Sequence, residues 1–302
     1  MEKTPKGFEN STSLPDSEEE AKLWQNKNFE WWEKNPMRYD WGKAILVEEF
    51  SADFFNEIDR RFFDNAGEYL DNSFKIPFDE FVNFKSLKDK DVLEIGVGNG
   101  SHAKLLAKYA KFFTGIDITD YAVKSTLKRM EVFGLKANIV KMDAENMAFK
   151  DGSFDFIWSW GVIHHSSDTE KIIKEIYRVL RLSGKAVIMV YHRGWWNYYV
   201  LGFLRGFIFG DFFRGLNLSR SVQKYTDGAI ARYYCQHDYE KMAGNLFKIN
   251  RVGTIGPKSD IIPLPGGKFK EWFKKILSRG LNKFLTKNLK MGSFLIFELI
   301  KR

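Results

Sequence analysis

The sequence predicts an α/β protein built on a doubly wound parallel sheet with helices on both faces. Three observations predict it. Apolar runs of strand length alternate with segments of helical period from Val92 onward. The first run passes through a glycine turn, "VLEIGVGNGSH" (Val92 to His102), straight into a helix. Carboxylates stand at the ends of later runs, where the open edge of such a sheet takes its ligands.

The elements follow in order. Val92, Leu93 and Ile95 read as a buried first strand. Gly96, Gly98 and Gly100 form the turn, and Ala103, Leu106, Ala107 and Ala110 recur at helical spacing behind it. The glycines let backbone N–H groups meet a ligand with no Cβ in the way. Dinucleotide enzymes share such a turn, but they place the last glycine three positions after the second, where Ser101 stands here. Glu94 would also repel a pyrophosphate, whereas an amino group and a sulfonium would be attracted to it. The spacing therefore favours S-adenosylmethionine (SAM) over NAD. Glu94 is either a direct ligand or a residue that orients the turn.

"FFTGID" (Phe112 to Asp117) reads as a second strand whose Asp117 can accept from two ribose hydroxyls. "ANIVKMDAEN" reads as a third, with Asp143 placed for an adenine amino group and the Ala144 N–H for a ring nitrogen. "FDFIWSWG" is a fourth strand. "SDTEKIIKEIYRVLRLSG" reads as a helix with a capping box from Ser167 to Glu170 and a stop at Gly184. "KAVIMVYH" is the fifth strand.

The series LEIGVGNGS, GID, DAENMAF, DGSFDFIWSWGVIHH and EIYRVLRLSGKAVIMVYHR resembles the class I SAM-dependent methyltransferases. Within them it is most similar to the small-molecule group that includes the ubiquinone and menaquinone biosynthesis methyltransferases. The likeness covers roughly residues 80 to 192, with a plausible end at "GSFLIFELIKR". It implies a Rossmann-like seven-stranded sheet of order 3-2-1-4-5-7-6, the last strand antiparallel. It also implies that Glu94, Gly96, Gly98, Asp117, Asp143, Ala144 and Trp160 surround SAM, with Val97, Gly100 and Ile118 beside them.

Methyl transfer from a sulfonium is an in-line displacement, so a protein helps mainly by positioning, and a base matters only when the nucleophile must lose a proton. Of the five histidines, His164 and His165 follow the fourth strand and are the candidate catalytic pair. The pattern chooses neither between them nor between a base and a positioning role, and Tyr191 and His192 are alternatives. Trp158 and Trp160 share one face of a strand; one of them can line the pocket near the sulfonium.

The remainder decorates this core. Residues 1–22 are polar and read as a disordered tail without the apolar core of a signal peptide; 23–80 read as an N-terminal helical lid. In the lid, Arg38 either pairs with the SAM carboxylate or makes a surface salt bridge. The core is expected over 81–193, a substrate-covering helical insertion over 194–236, and the end of the core over 237–302. The insertion carries "WWNYYVLGFLRGFIFGDFF", with Gly202, Gly206 and Gly210 spaced for close helix packing. That run can line an apolar pocket, touch a membrane interface or span one; Arg205 at its centre would cost roughly 2.5–3.5 kcal/mol in a span. Residues 268–290 read as a basic amphipathic helix, which Gly280 can split in two, with eight Lys/Arg against the single acid Glu271, a net +7 of the whole chain's +8. Such a helix either packs on the sheet or meets an anionic membrane surface.

A single cysteine, Cys235, excludes an internal disulfide framework and fits a reducing compartment. The expected location is the cytoplasm, with peripheral contact at the inner face of the membrane. The expected acceptor is a small apolar or lipid-linked molecule, methylated on oxygen ahead of carbon. No metal-ligand set is seen, and oligomeric state is not readable. An RNA methyltransferase and a non-catalytic SAM-binding protein are the alternatives. The positive charge lies on a helix interleaved with large apolar residues rather than on a broad face, which argues against nucleic acid.

Overall fold

The computed structural model describes residues 3–40, 43–264 and 266–302. Met1 and Glu2 of the expected tail, Trp41 and Gly42 of the expected lid, and Pro265 lie outside the described residues.

Strands β1 (Asp91–Ile95), β2 (Phe112–Asp117), β3 (Asn138–Lys141), β4 (Phe154–Trp160) and β5 (Leu180–His192) pair in parallel. A two-residue strand, β6 (Tyr233–Tyr234), pairs in parallel with the end of β5. Strands β7 (Phe247–Ile255) and β8 (Phe294–Lys301) complete the sheet, β8 running antiparallel between β5 and β7. The order β3-β2-β1-β4-β5-β8-β7 is the expected 3-2-1-4-5-7-6 once the short β6 is set aside. β6 comes from the end of the expected 194–236 insertion, so Tyr233 and Tyr234 belong to the sheet.

The central strands are apolar throughout because both faces are covered. Leu93, Ile95, Ile157, Ile188 and Val190 face α6 (Thr169–Val179) and α9 (Gln236–Ala243), which supply Ile172, Ile173, Ile176 and Tyr239. Val92, Phe156, Trp158, Val187 and Met189 face the other way, onto Ala103 and Leu106 of α4 (Ser101–Tyr109) and Phe62 of α2 (Ala52–Ala66). The period-2 alternation thus builds two cores, and each fully buried aliphatic side chain contributes about 1.5–3 kcal/mol.

Helix α1 (Glu18–Lys34) starts on Ser17, whose hydroxyl accepts from the Glu20 N–H, with three glutamates in the first turn. Residues 3–17, the stretch expected as a tail, run into it through turns and bends, with Phe8 and Ser11 buried. Phe8 is buried edge-on against Trp24, with ring centroids 5.6 Å apart. The buried Arg232 guanidinium donates from Nε to the Ser13 carbonyl at 3.0 Å. An isolated aromatic in a polar stretch has no periodicity to announce its burial against Trp24 and Ile230.

A correction concerns α6. Its cap is Asp168, whose carboxylate accepts from the Glu170 and Lys171 N–H groups at 2.9 and 3.2 Å. Ser167 instead donates to Glu145 at 2.7 Å. The helix stops at Val179, and Gly184 lies inside β5 after Ser183, which takes the turn at φ 60°.

Short helices cover the rest: α3 (Asp79–Val82), α5 (Asp120–Val132), α7 (Gly202–Ile208), α8 (Leu218–Lys224), α10 (Lys268–Ile276) and α11 (Arg279–Lys283). A π-helical turn, Trp195–Leu201, leads into α7. Among the described residues no helix is long and apolar enough to cross a membrane.

Candidate active site

A cavity of about 360 Å³ follows the C-terminal edge of the sheet under α1 and α2. From Asp143 just past β3 to Phe294 on β8 it crosses five strand steps, about 24 Å at roughly 4.8 Å per step. Its two ends differ. Over β1, β2 and β3 the wall is polar, with Glu94, Asp117, Asp143 and the glycine turn; over β4, β5 and β8 it is made by the aromatic rings of Trp160, Tyr191 and Phe294 together with Met189.

The polar end is built by the turn. Gly96 and Gly98 adopt φ +80° and +52°, and the two glycines have different jobs. A Cβ on Gly96 would lie 2.3 Å from Val162 Cγ2, so that glycine permits packing of the turn on β4's exit. A Cβ on Gly98 would meet nothing within 4 Å: this glycine faces open space in the cavity. The turn is fixed from behind by Arg129 of α5, fully buried, which donates to the Asn99 carbonyl at 2.6 Å and to Asp59 of α2 at 2.7 Å. Burial lowers the Arg129 pKa, and Asp59 opposes that shift.

Glu94 is 2% exposed, and its Oε2 is a buried oxygen with no hydrogen-bond partner among the described residues. Burial and then the neighbouring Asp117 push its carboxyl well above the usual range, with Arg129 opposing. His102 lies 3.9 Å away, too far to hydrogen-bond, and burial among Phe62, Phe78 and Trp158 drops its pKa to about 3. A carboxyl kept from ionising by burial and like charge lacks a cationic partner. The amino group and sulfonium of SAM supply that charge, so the residues present fit this group.

Asp117 Oδ2 accepts from the Gly98 N–H at 3.1 Å, and Oδ1 from the Thr119 N–H and hydroxyl at 3.0 and 2.8 Å. These bonds hold its plane fixed. Its pKa is raised by burial despite them. Asp143 Oδ1 accepts from Gln25 of α1 at 2.9 Å and from the Glu145 N–H at 2.9 Å, and Gln25 Oε1 accepts from the Ser167 N–H at 3.2 Å. Val97, Gly100, Ile118 and Ala144 also line the cavity. Trp160 lines it too and stacks on Trp158 at 5.0 Å and 6°, which leaves Trp158 in the core.

His165 stands on the cavity wall with its Nδ1 2.6 Å from the Ile230 carbonyl. A carbonyl only accepts, so Nδ1 carries the hydrogen and Nε2 is a bare acceptor; Nε2 has no partner among the described residues. Burial lowers the His165 pKa to about 4, with Lys3 and Arg232 adding to the shift and the Ile230 bond opposing it. Gly228, at φ +86°, lets the chain approach this ring; a Cβ there would lie 2.5 Å from Nδ1.

Two of the expected site residues lie off the wall. His164 is fully buried between the rings of Tyr191 and His165, at 4.0 and 4.2 Å, and does not line the cavity. Arg38 points outward to Asp40 and Glu49 at 3.1 and 3.4 Å, so its salt bridges hold the lid loop. Of the alternatives, Tyr191 lines the cavity, whereas His192 bonds the Gly292 carbonyl at 2.8 Å. The residues that sequence reasoning missed are Gln25, Asn28 and Trp32, all on the cavity wall from one face of α1. Their i, i+3, i+7 spacing was the available signal.

Residues 93–188 match the family described as a methyltransferase domain. Among curated proteins, phosphoethanolamine N-methyltransferase 2 of Caenorhabditis elegans is 33% identical over 135 residues, 44% of this chain and 30% of that protein. Tocopherol O-methyltransferase of Arabidopsis thaliana is 32% identical over 110 residues, covering 35% of this chain and 32% of that protein. Sterol 24-C-methyltransferase of Aspergillus fumigatus is 34% identical over 96 residues, covering 31% and 26%. The matched stretch thus spans about a third or less of each relative's own length. Among solved structures, a SAM-dependent methyltransferase of Methanosarcina mazei superposes with TM-score 0.51 at 19% identity, covering 73% of this chain and 96% of that one. Strand order, glycine turn and sequence match agree: residues 93–188 are a methyltransferase domain of the class I, SAM-dependent kind.

Proposed function

We propose that the chain transfers a methyl group from SAM to a hydroxyl of a small apolar or lipid-linked acceptor. The observation that carries this reading is the two-ended cavity, with unpaired Glu94 at the polar end and His165 Nε2 and the aromatic rings toward the other. The likeness to a tocopherol O-methyltransferase and a sterol 24-C-methyltransferase supports an apolar substrate. When bound, SAM supplies an electrophilic methyl group on a positively charged sulfur.

The chain's own residues do the rest. Glu94 takes the amino group's charge, while Asp117 and Asp143 accept from ribose and adenine. Gln25, bonded to both Asp143 and Ser167, holds α1 down over that end and keeps water out. Trp160 offers its ring face to the developing charge between the two ends. His165 Nε2 accepts a hydrogen bond from the attacking hydroxyl and takes its proton as the oxygen–carbon bond forms. With its pKa near 4 it is a weak base. It therefore aims the oxygen first and receives the proton late, when the alkylated oxygen has become acidic.

The test is release of S-adenosylhomocysteine from SAM with panels of quinols, tocopherol-like phenols, sterols and water-soluble amines as acceptors. Turnover confined to apolar hydroxyl compounds is the expected result. Turnover on RNA alone, or none with any acceptor despite tight SAM binding, would overturn it.

A further inference from the structure

Helices α7 and α10 are both turned inside out. In α10 the apolar stripe faces solvent: Phe269, Trp272 and Ile276 are 68%, 53% and 59% exposed, and no residue of the helix is buried. The inward positions are lysines. Lys274 pairs with Glu68 at 3.8 Å, and Lys270 is half-buried beside Asp260. In α7 the inward positions are Gly202 and Gly206, pressed on α8 and Phe212. A Cβ there would lie 2.7 Å from Val222 and 2.5 Å from Phe212. Outward stand Phe203, Phe207 and Ile208, the last 70% exposed, with Phe213 just beyond at 79%.

The two helices belong to one face. Trp195 donates to the Leu289 carbonyl and Trp196 to the Asp260 carbonyl, each at 2.8 Å, which ties the start of the insertion to the segments on either side of α10 and α11. Arg205 of α7 lies near enough to Lys270 of α10 for its charge to be felt there. Around the rings stand exposed Lys268, Lys275, Arg279 and Lys290, none in an ion pair among the described residues.

The geometry points to a membrane-docking face, formed jointly by α7 and the 268–290 segment, whose occupant is the surface of an anionic lipid bilayer. Burying seven large apolar side chains needs a partner, since a soluble surface rarely leaves so many in one place. The fringe of unpaired cations selects a negatively charged one. Outward aromatics with flanking Lys/Arg are the side-chain set that settles at the headgroup level. The face also has a route to the site: Tyr191 on the cavity wall touches Tyr233 at 5.3 Å, Tyr233 touches Tyr198 at 5.1 Å, and Tyr198 touches the half-exposed Tyr199 at 5.2 Å. This inference deepens the proposed function, and rests on it only for the lipid-linked acceptor.

The test is sedimentation of the full chain with vesicles of phosphatidylcholine alone or mixed with phosphatidylglycerol, alongside calorimetric SAM binding on the same samples. Binding to the mixed vesicles that salt weakens is expected. The pair Lys275→Gln and Arg279→Gln should weaken it about 25-fold, roughly five-fold per charge, and leave neutral vesicles unaffected. The pair Phe207→Ser and Trp272→Ser should weaken binding at least tenfold on both vesicle types, with unchanged thermal melting. No sedimentation with mixed vesicles would overturn the face, as would variants that bind like the parent. So would a dimer that Trp272→Ser converts to monomer, because a second copy would then be the occupant. SAM affinity retained in any of these cases leaves the catalytic reading standing, and its loss in the parent protein sinks that reading alone.

Discussion

Replacing Glu94 with Gln isolates the charge at the polar end of the cavity. The substitution keeps shape and removes the carboxylate whose Oε2 is unpaired in the free protein. A hydrogen bond between charged groups is worth about 1.5–3 kcal/mol net, so the dissociation constant for SAM should rise about 10- to 150-fold. The pH dependence is more diagnostic than the size. Burial and Asp117 raise the free-state pKa of Glu94, so the free protein holds this proton above the ordinary carboxylate range. A bound cation lowers that pKa, so binding releases the proton. Affinity should therefore climb with pH, by up to about tenfold per unit, between the bound and free values, and Gln should flatten the climb. Isothermal titration in two buffers of different ionisation heat reads both affinity and proton release. The folded-state pKa is above the unfolded one, so the ionised carboxylate destabilises the free protein: stability from this group is full below the unfolded pKa and lost as pH rises through the folded one. Glu94→Gln should accordingly melt higher than the parent at pH 8 without ligand. Parental affinity for SAM and parental proton release in the variant would refute the reasoning.

Other predictions follow from the same geometry. His165→Ala should lower kcat about 10- to 100-fold and leave SAM affinity unchanged in equilibrium binding. In the parent, turnover should show no titration from His165 near 6.5 and should fall as pH drops through about 4, where the ring becomes protonated. Gly98→Ala adds a Cβ into open cavity at φ +52°, so SAM binding should weaken while melting shifts by only about 1–2 kcal/mol equivalent; Gly96→Ala, 2.3 Å from Val162, should lower stability more. Arg129→Met removes one of three donors to Asp59, which keeps Lys104 at 3.2 Å and Ser101 at 2.7 Å, and leaves the Asn99 carbonyl without its donor; denaturant titration should show a loss of about 1–3 kcal/mol.

The sheet and the polar half of the site were legible because they are local. A strand that buries both faces must be apolar, and a turn that must expose backbone must be glycine, so Val92 to Gly100 could be read without neighbours. Asp117 and Asp143 were legible for the same reason: Asp117 ends β2 and Asp143 lies two residues past the end of β3. The misplaced elements were decided by tertiary partners. Ser167 reads as a cap until Glu145 engages its hydroxyl. Arg38 reads as a cofactor ligand until Asp40 and Glu49 hold it outward. His164 and His165 are indistinguishable as neighbours in sequence, and only the Ile230 carbonyl and the course of the wall separate them. Amphipathicity in α10 was plain in the sequence, but periodicity gives the stripe and not the side on which the protein lies. On the inward side Lys274 meets Glu68, which is far away in the chain.

The most direct trial of the central idea is equilibrium dialysis of the full chain against labelled SAM, with NAD and S-adenosylhomocysteine as competitors. One SAM bound per chain, displaced by S-adenosylhomocysteine and untouched by excess NAD, is the outcome expected of an unpaired carboxyl beside a bare glycine turn. Retention of NAD with no uptake of SAM would contradict it.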